Sequence, residues 1–368
     1  MESDVTTKAP LFITSAWAAG GEERFRANVP LETLGRSIEN AGGAKVSVAV
    51  LVIEGFPLFS PAFLEKLSSL GLTIIDYGKP FAEIASRFPR IGSRYSPYER
   101  NCFLRWLAFK NWLAEKNIGG QVWHIDSDMT FHAPLEQIAE DTRGKTFMTD
   151  GGPAFVSIAN PDWFTIYERE LESFEKDIDG YSAEAAREHA HCRENDYGLF
   201  NRSDYRNPLG SDQDLLEYLV SSRTLPQSQR TEIECLPFRF IENPMVMAGN
   251  IPPIRGDNRG GIISGGKRVP FIHYQGYFYD FAKIYLALDR LALTRLPGVR
   301  KLIIFKVGGV RYHVSRPTRF LWRAARLLGS KDLSKLETIE RLYRDNGRML
   351  MELLRFIQKT KQDSYEKK

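Results

Sequence analysis

The chain has 368 residues, 43% of them hydrophobic, with a net charge of +4, which is ordinary for one large soluble domain or a domain with an appendage. No stretch reaches the roughly 18 apolar residues a membrane-spanning helix needs, and Met1 to Pro10 is polar and lacks a signal core. Cys102, Cys192 and Cys235 are scattered and odd in number, which argues against a disulfide framework and makes a cytoplasmic location the expectation.

Leu11 to Trp17 reads as a first strand. Ser37 to Asn40, before Gly42-Gly43, reads as a helix end, and Val46 to Ile53 is the near-continuous apolar run of a parallel strand buried on both faces. The spacing predicts a helix over Pro61–Leu70 with Gly71 as its stop, then a strand over Leu72–Asp76. Asn101 to Lys116 carries Phe103, Leu104, Leu107, Trp112 and Leu113 at helical spacing, with Gly119-Gly120 expected to end it. Thr146 to Asn160 looks strand-rich, Pro161 to Lys176 helical, and Gly180 to Gly210 polar and loop-prone. Arg255 to Gly266 is expected to be a Gly-rich loop. Strands alternating with helices predict an α/β fold with a mostly parallel sheet flanked by helices. The expected division is a catalytic domain over 1–285 and a basic, mainly helical region over 286–368.

The apolar run Gln121 to Ile125 leads into Asp126-Ser127-Asp128. If the strand holds to its end, a period of two points both carboxylates the same way. Two like charges on one side call for a cation, and a hard divalent ion such as Mg²⁺ or Mn²⁺ suits oxygen ligands. Ligands gather at the carboxyl ends of strands in α/β sheets, where this pair falls. Two later segments match. Ser211-Asp212-Gln213-Asp214 opens a helix, with Ser211 as a candidate N-cap. Phe271-Ile272-His273 ends a short strand in an imidazole, a third ligand that favours Mn²⁺, and Gly276 follows.

Asp126-Ser127-Asp128, Asp212-Gln213-Asp214 and His273-Tyr274-Gln275-Gly276 together resemble the motif series of GT-A-fold glycosyltransferases, nearest to the retaining, nucleotide-sugar-dependent galactosyltransferase and glycogenin type. Phe103-Leu104-Arg105-Trp106 is similar to that family's aromatic-flanked arginine, and the resemblance spans about residues 10–285. It implies that Asp126, Asp128 and His273 hold Mn²⁺ (or Mg²⁺), with Asp126 also near the donor's ribose or sugar. It implies Gly276 against the diphosphate, Arg105 on the donor, and Thr14 to Trp17 near the base. Asp212 would bind a donor-sugar hydroxyl and Gln213 would lie near the anomeric carbon. The family's lysine-proline-tryptophan element is missing: Tyr279 stands in the lysine's place, with Lys267, Arg268 or Lys283 as substitutes, so retention against inversion stays open. An inverting enzyme would need a general base, for which Asp214 and Asp150 are candidates.

The implied reaction moves a sugar from a nucleotide donor, UDP-sugar preferred, to a glycan or lipid-linked acceptor, as in bacterial surface polysaccharide and lipopolysaccharide synthesis. Residues 286–368 hold 20 Lys+Arg against 8 Asp+Glu, which leaves the rest of the chain acidic. Over 317–328, Arg319, Arg323 and Arg326 share one helical face beside Phe320, Trp322, Leu327 and Leu328. A basic amphipathic helix of this kind can lie on an anionic membrane, so peripheral contact through 315–368 is expected. Nucleic acid is not expected as a partner, since no recognition motif accompanies the charge. His189, His191 and Cys192 lack a fourth ligand at zinc spacing. Two rivals stand beside the transferase: a nucleotidyltransferase, against which Glu22-Glu23 after Gly20-Gly21 argues, and a non-catalytic nucleotide- or carbohydrate-binding protein.

Overall fold

The computed structural model describes residues 9–18, 22–42, 46–149, 153–194, 209–238, 241–242, 254–256, 262–264 and 266–273. Gly276, Tyr279, Lys283, Asp150 and the whole 286–368 region lie outside the described residues, and so do the side chains of His189, His191 and Cys192.

In chain order the elements are β1 (Leu11–Trp17), α1 (Glu22–Asn28), α2 (Leu31–Asn40), β2 (Ser47–Glu54), α3 (Pro61–Ser69), β3 (Leu72–Asp76), α4 (Gly78–Ser86), α5 (Pro89–Arg94) and α6 (Pro97–Glu115). They continue with β4 (Val122–Ile125), β5 (Met129–Phe131), α7 (Leu135–Asp141), β6 (Phe147–Met148), β7 (Phe155–Ile158), α8 (Asp162–Lys176), α9 (Ile178–Glu194), α10 (Asp212–Ser221) and α11 (Arg230–Glu234). Five short strands follow: β8 (Ile241–Glu242), β9 (Ile254–Gly256), β10 (Ile262–Ser264), β11 (Lys267–Arg268) and β12 (Phe271–His273). The chain divides into two compact units, the first of Met1–Leu31, Ala44–Ser127 and Leu135–Leu236, the second of Glu32–Gly43, Asp128–Pro134 and Pro237–Lys368. No helix among the described residues is long and apolar enough to cross a membrane.

The first unit is a six-stranded sheet in the order β3-β2-β1-β4-β7-β6, flanked by helices. The β3-β2-β1-β4 ladder is parallel, while β7 and β6 add antiparallel strands. Both faces of β2 are buried from Val48 to Ile53, which is why its sequence does not alternate. Strand order reverses between β1 and β4, the switch point at which open α/β sheets form a ligand crevice. The two strands pair only from Leu11↔Val122 to Ile13↔His124, so β1 runs on to Trp17 beyond the last pair.

Helix α6 covers one face of this sheet. It starts earlier than hydrophobic spacing alone indicates, because Ser96 and Glu99 close a capping box (Glu99 N to Ser96 Oγ 3.3 Å, Ser96 N to Glu99 Oε2 3.0 Å) and Pro97 fits the first turn. It ends before Gly119-Gly120: Asn117 takes a φ of +52° and the Ile118 N–H reaches back to the Leu113 carbonyl at 2.9 Å. Phe103, Leu104, Trp106, Leu107, Ala108 and Phe109 are fully buried against β-strand residues such as Ile13 and Val122 and against Trp163, Phe164, Tyr167 and Leu171 of α8. Each large apolar side chain of this set contributes about 1.5–3 kcal/mol by leaving water, so Phe109→Ala would cost roughly 3–5 kcal/mol.

Three expectations are corrected in this unit. Residues 178–194 are helical, where polarity suggests a loop: Ala183, Glu184, Ala185, Ala186, Arg187 and Glu188 favour helix, and buried Ile178, Ser182 and Ala185 supply a narrow inward stripe. Ser211 stands at the N-cap position of α10 but its hydroxyl accepts no bond from the helix; instead Asp214 Oδ2 takes the Gly210 N–H at 2.7 Å. The strand before the Asp-x-Asp stops at Ile125, whose partner is Phe155, so Asp126 and Asp128 are related by a turn and not by the pleat.

The second unit carries two small sheets, β5-β12-β8 and β11-β10-β9. β12 pairs antiparallel with β5 (Phe271↔Phe131, His273↔Met129) and parallel with β8. The Phe131 and Phe271 rings meet at 5.8 Å, and the Phe131 N–H donates to Ser37 Oγ at 3.2 Å. The segment read as a Gly-rich loop contains the antiparallel meander β9-β10-β11. Ile254, Ile262 and Ile263 supply β-branched strand residues, and Gly266, at a φ of +79°, turns the chain between Ser264 and Lys267.

Candidate active site

In the first unit, the C-terminal end of β4 carries a buried charge cluster. Asp126 follows the strand, its N–H held by the Ala154 carbonyl at 2.8 Å. Arg105, projecting from α6, lies between two carboxylates. Its Nη1 donates to Asp126 Oδ1 at 2.7 Å, its Nε to Asp212 Oδ2 at 3.0 Å, and its Nη2 approaches the same Asp212 oxygen at 2.9 Å. The Trp106 indole N–H also donates to Asp212 Oδ2, at 2.9 Å. Arg105, expected from the sequence on the donor, is 7% exposed and paired with a 4% exposed carboxylate.

His124 adds a further polar group. It is wholly buried on the β4 face that packs under α6, with its Nε2 3.1 Å from Asp126 Oδ1. An ionised carboxylate only accepts, so Nε2 carries the proton in this pairing. Burial pushes the His124 pKa down, and the Arg105 charge adds to that, so the ring is neutral at pH 7. Burial also raises the Asp212 carboxyl, against the pull of Arg105 and the Trp106 N–H. Burial works against the Arg105 charge too, but Asp212 and Asp126 outweigh it, and the guanidinium stays protonated.

β1 carries Thr14, buried, and at its C-terminal end Trp17, half-buried and 5.6 Å from the ring of Tyr98, which is 66% exposed. Asp214 is buried, and its bond to the Gly210 N–H ties it to the start of α10; Gln213 beside it is half-buried. In the second unit, His273 Nε2 lies 3.3 Å from Asp128 Oδ1, because the β12–β5 register sets His273 opposite Met129, the residue after Asp128. Lys267 and Arg268 form β11, half-buried and exposed respectively.

The structure thus brings Arg105, Asp126 and Asp212 together in the first unit, and Asp128 with His273 in the second. Asp126 and Asp128 are two residues apart, so two trans peptides keep their Cα atoms within about 7 Å. Sequence reading missed His124 and Trp106. His124 was accessible to it: position 124 is two before Asp126, on the same face of the strand by period. Trp106 was not, since its partner Asp212 is 106 residues away.

No protein-family profile matches the sequence, and no curated protein matches it. Among solved structures, the crystal structure of mouse xyloside xylosyltransferase 1 in its apo form is similar with a TM-score of 0.36 and 10% sequence identity, over 58% of this chain and 81% of that one.

Proposed function

We propose that the protein is a metal-dependent glycosyltransferase that moves a sugar from a nucleotide-sugar donor, UDP-sugar by preference, to a glycan or lipid-linked acceptor. The observation that carries this reading is the polar cluster at the strand-order switch of a parallel sheet, with Asp128 and His273 paired next to it in sequence.

The donor set fits a divalent cation. Asp126 and Asp128 offer carboxylate oxygens and His273 an imidazole nitrogen, a mixed set that suits Mn²⁺. The cation would supply Lewis-acid neutralisation of the charge that builds on the leaving diphosphate. Arg105 holds Asp126 and Asp212 apart and lends positive charge on the donor side. Asp212 accepts from a donor-sugar hydroxyl, Gln213 stands by the anomeric carbon, and Gly276 allows close approach to the diphosphate. Thr14 and Trp17, at the end of β1, flank the base. Asp214 is spent on the Gly210 N–H just ahead of α10, which disfavours it as an acceptor base. The basic segment 317–328, with its arginines at helical spacing in the sequence, would hold the enzyme at the inner face of a membrane where lipid-linked acceptors are built.

Thermal unfolding with UDP, GDP, CDP and ADP, each with and without Mn²⁺, tests the site. A ligand at 100 times its dissociation constant adds about 2.7 kcal/mol to the native state. The expected result is a shift for one nucleotide, UDP first, only with Mn²⁺, and its loss in Asp128→Ala with the fold intact. A full shift in Asp128→Ala would remove the metal assignment, and binding without any transfer would favour a binding protein. Deleting residues 315–368 should release the chain from anionic vesicles, and unchanged binding would refute the anchor.

A further inference from the structure

We propose that His124 is a positioning residue, fixing the Asp126 carboxylate for cation binding, an inference that rests on the cation site proposed above. Two donors converge on Asp126 Oδ1: Arg105 Nη1 at 2.7 Å and His124 Nε2 at 3.1 Å. They are not equivalent. Arg105 divides its guanidinium between Asp126 and Asp212, so any polyanion entering the crevice competes for it. His124 is closed off from solvent, with the Trp106 ring at 4.8 Å, edge-on, and the Phe109 ring at 5.3 Å. The imidazole is thus held by packing, and its N–H direction is set before Asp126 is considered.

Packing alone does not account for a histidine here. The Trp106 and Phe109 rings give it an aromatic surround that would accept an apolar side chain. An imidazole in that position gives up its hydration, and burying a polar group without a partner costs about 1–3 kcal/mol. Asp126, one residue past the end of β4, is the partner that offsets this cost, its Oδ1 lying 3.1 Å from His124 Nε2. Trp106 joins the arrangement to the second carboxylate: its ring braces His124 while its N–H holds Asp212 Oδ2 at 2.9 Å. A line Asp212–Trp106–His124–Asp126 therefore fixes both acids from beneath the site. Groups behind a metal ligand that orient it in this way commonly change metal affinity about 10–100-fold when removed.

The test is Mn²⁺ affinity of the full chain, read from the electron paramagnetic resonance of free Mn²⁺, with melting temperature without cation measured in parallel. His124→Phe should weaken Mn²⁺ binding about 10–100-fold while melting close to the parent. His124→Gln, whose amide places an N–H near the Nε2 position, should recover most of the affinity. Parent binding that is lost in Asp128→Ala but kept in His124→Phe overturns this inference alone. No saturable Mn²⁺ binding by the parent overturns the cation reading and this inference with it. Should His124→Phe fail to fold, the parent carries the test: the His124 Nε2 proton, detected by ¹⁵N NMR, must shift when Mg²⁺ is added, and an unmoved resonance overturns the inference.

Discussion

Arg105→Met separates a buried structural ion pair from a surface charge that happens to point inward. The arginine is 7% exposed and Asp212 4%, so neither has water to fall back on. Met keeps most of the aliphatic stem and removes three N–H contacts, two on Asp212 and one on Asp126. Removing one member of a buried pair costs about 3–5 kcal/mol, because the other is left charged and unpaired. Asp126 is 21% exposed and keeps His124, so its share is small and screened. Asp212 keeps only the Trp106 N–H among these donors and bears the main loss. The expected destabilisation is therefore near the lower end, about 3 kcal/mol. Urea unfolding at neutral pH, followed by the fluorescence of Trp106 and Trp163, measures it. The double variant Arg105→Met with Asp212→Asn removes both charges, keeps an acceptor for the Trp106 N–H and should recover most of that loss, since no charge is then left buried and unpaired beside the indole. A loss below about 1 kcal/mol in the single variant, or a double variant worse than either single, would refute the pairing.

Gly55→Ala should destabilise the fold by about 1–3 kcal/mol, because Gly55 sits at a φ of +93° and a Cβ there would lie 2.6 Å from the Ala18 carbonyl oxygen; an unchanged urea midpoint would contradict this. Glu168 links α8 to Lys110 of α6 and to Arg87. Burial alone would raise its pKa, but Lys110 and Arg87 outweigh it and hold the carboxyl below the usual range. A lowered carboxylate pKa contributes stability above the unfolded value and loses it as pH falls through the folded one. Glu168→Gln should accordingly melt below the parent at pH 7, with the gap closing below about pH 4; a gap that stays constant with pH would dismiss the ion pair.

How far the site was legible follows from the range of its contacts. Strand β2 declares itself, since burial on both faces leaves a near-continuous run of Val, Ala, Leu and Ile. Helix α9 does not, because its buried stripe is Ile178, Ser182 and Ala185, too small and polar to stand out from a loop. Two like charges at the Asp-x-Asp call for a cation, and the protein supplies one of its own to Asp126. Asp126 already faces Arg105, a permanent cation that no local pattern could place there, since the pair forms only when α6 packs over the end of β4. The need for an added cation is therefore greater at Asp128. Its partner is His273, whose imidazole, when neutral, offers a lone pair. A carboxylate beside a neutral imidazole keeps its negative charge and adds a nitrogen ligand, whereas a carboxylate beside arginine is neutralised. On this reasoning Asp128→Asn should lower Mn²⁺ affinity more than Asp126→Asn, and the reverse order would return the main role to the first acid.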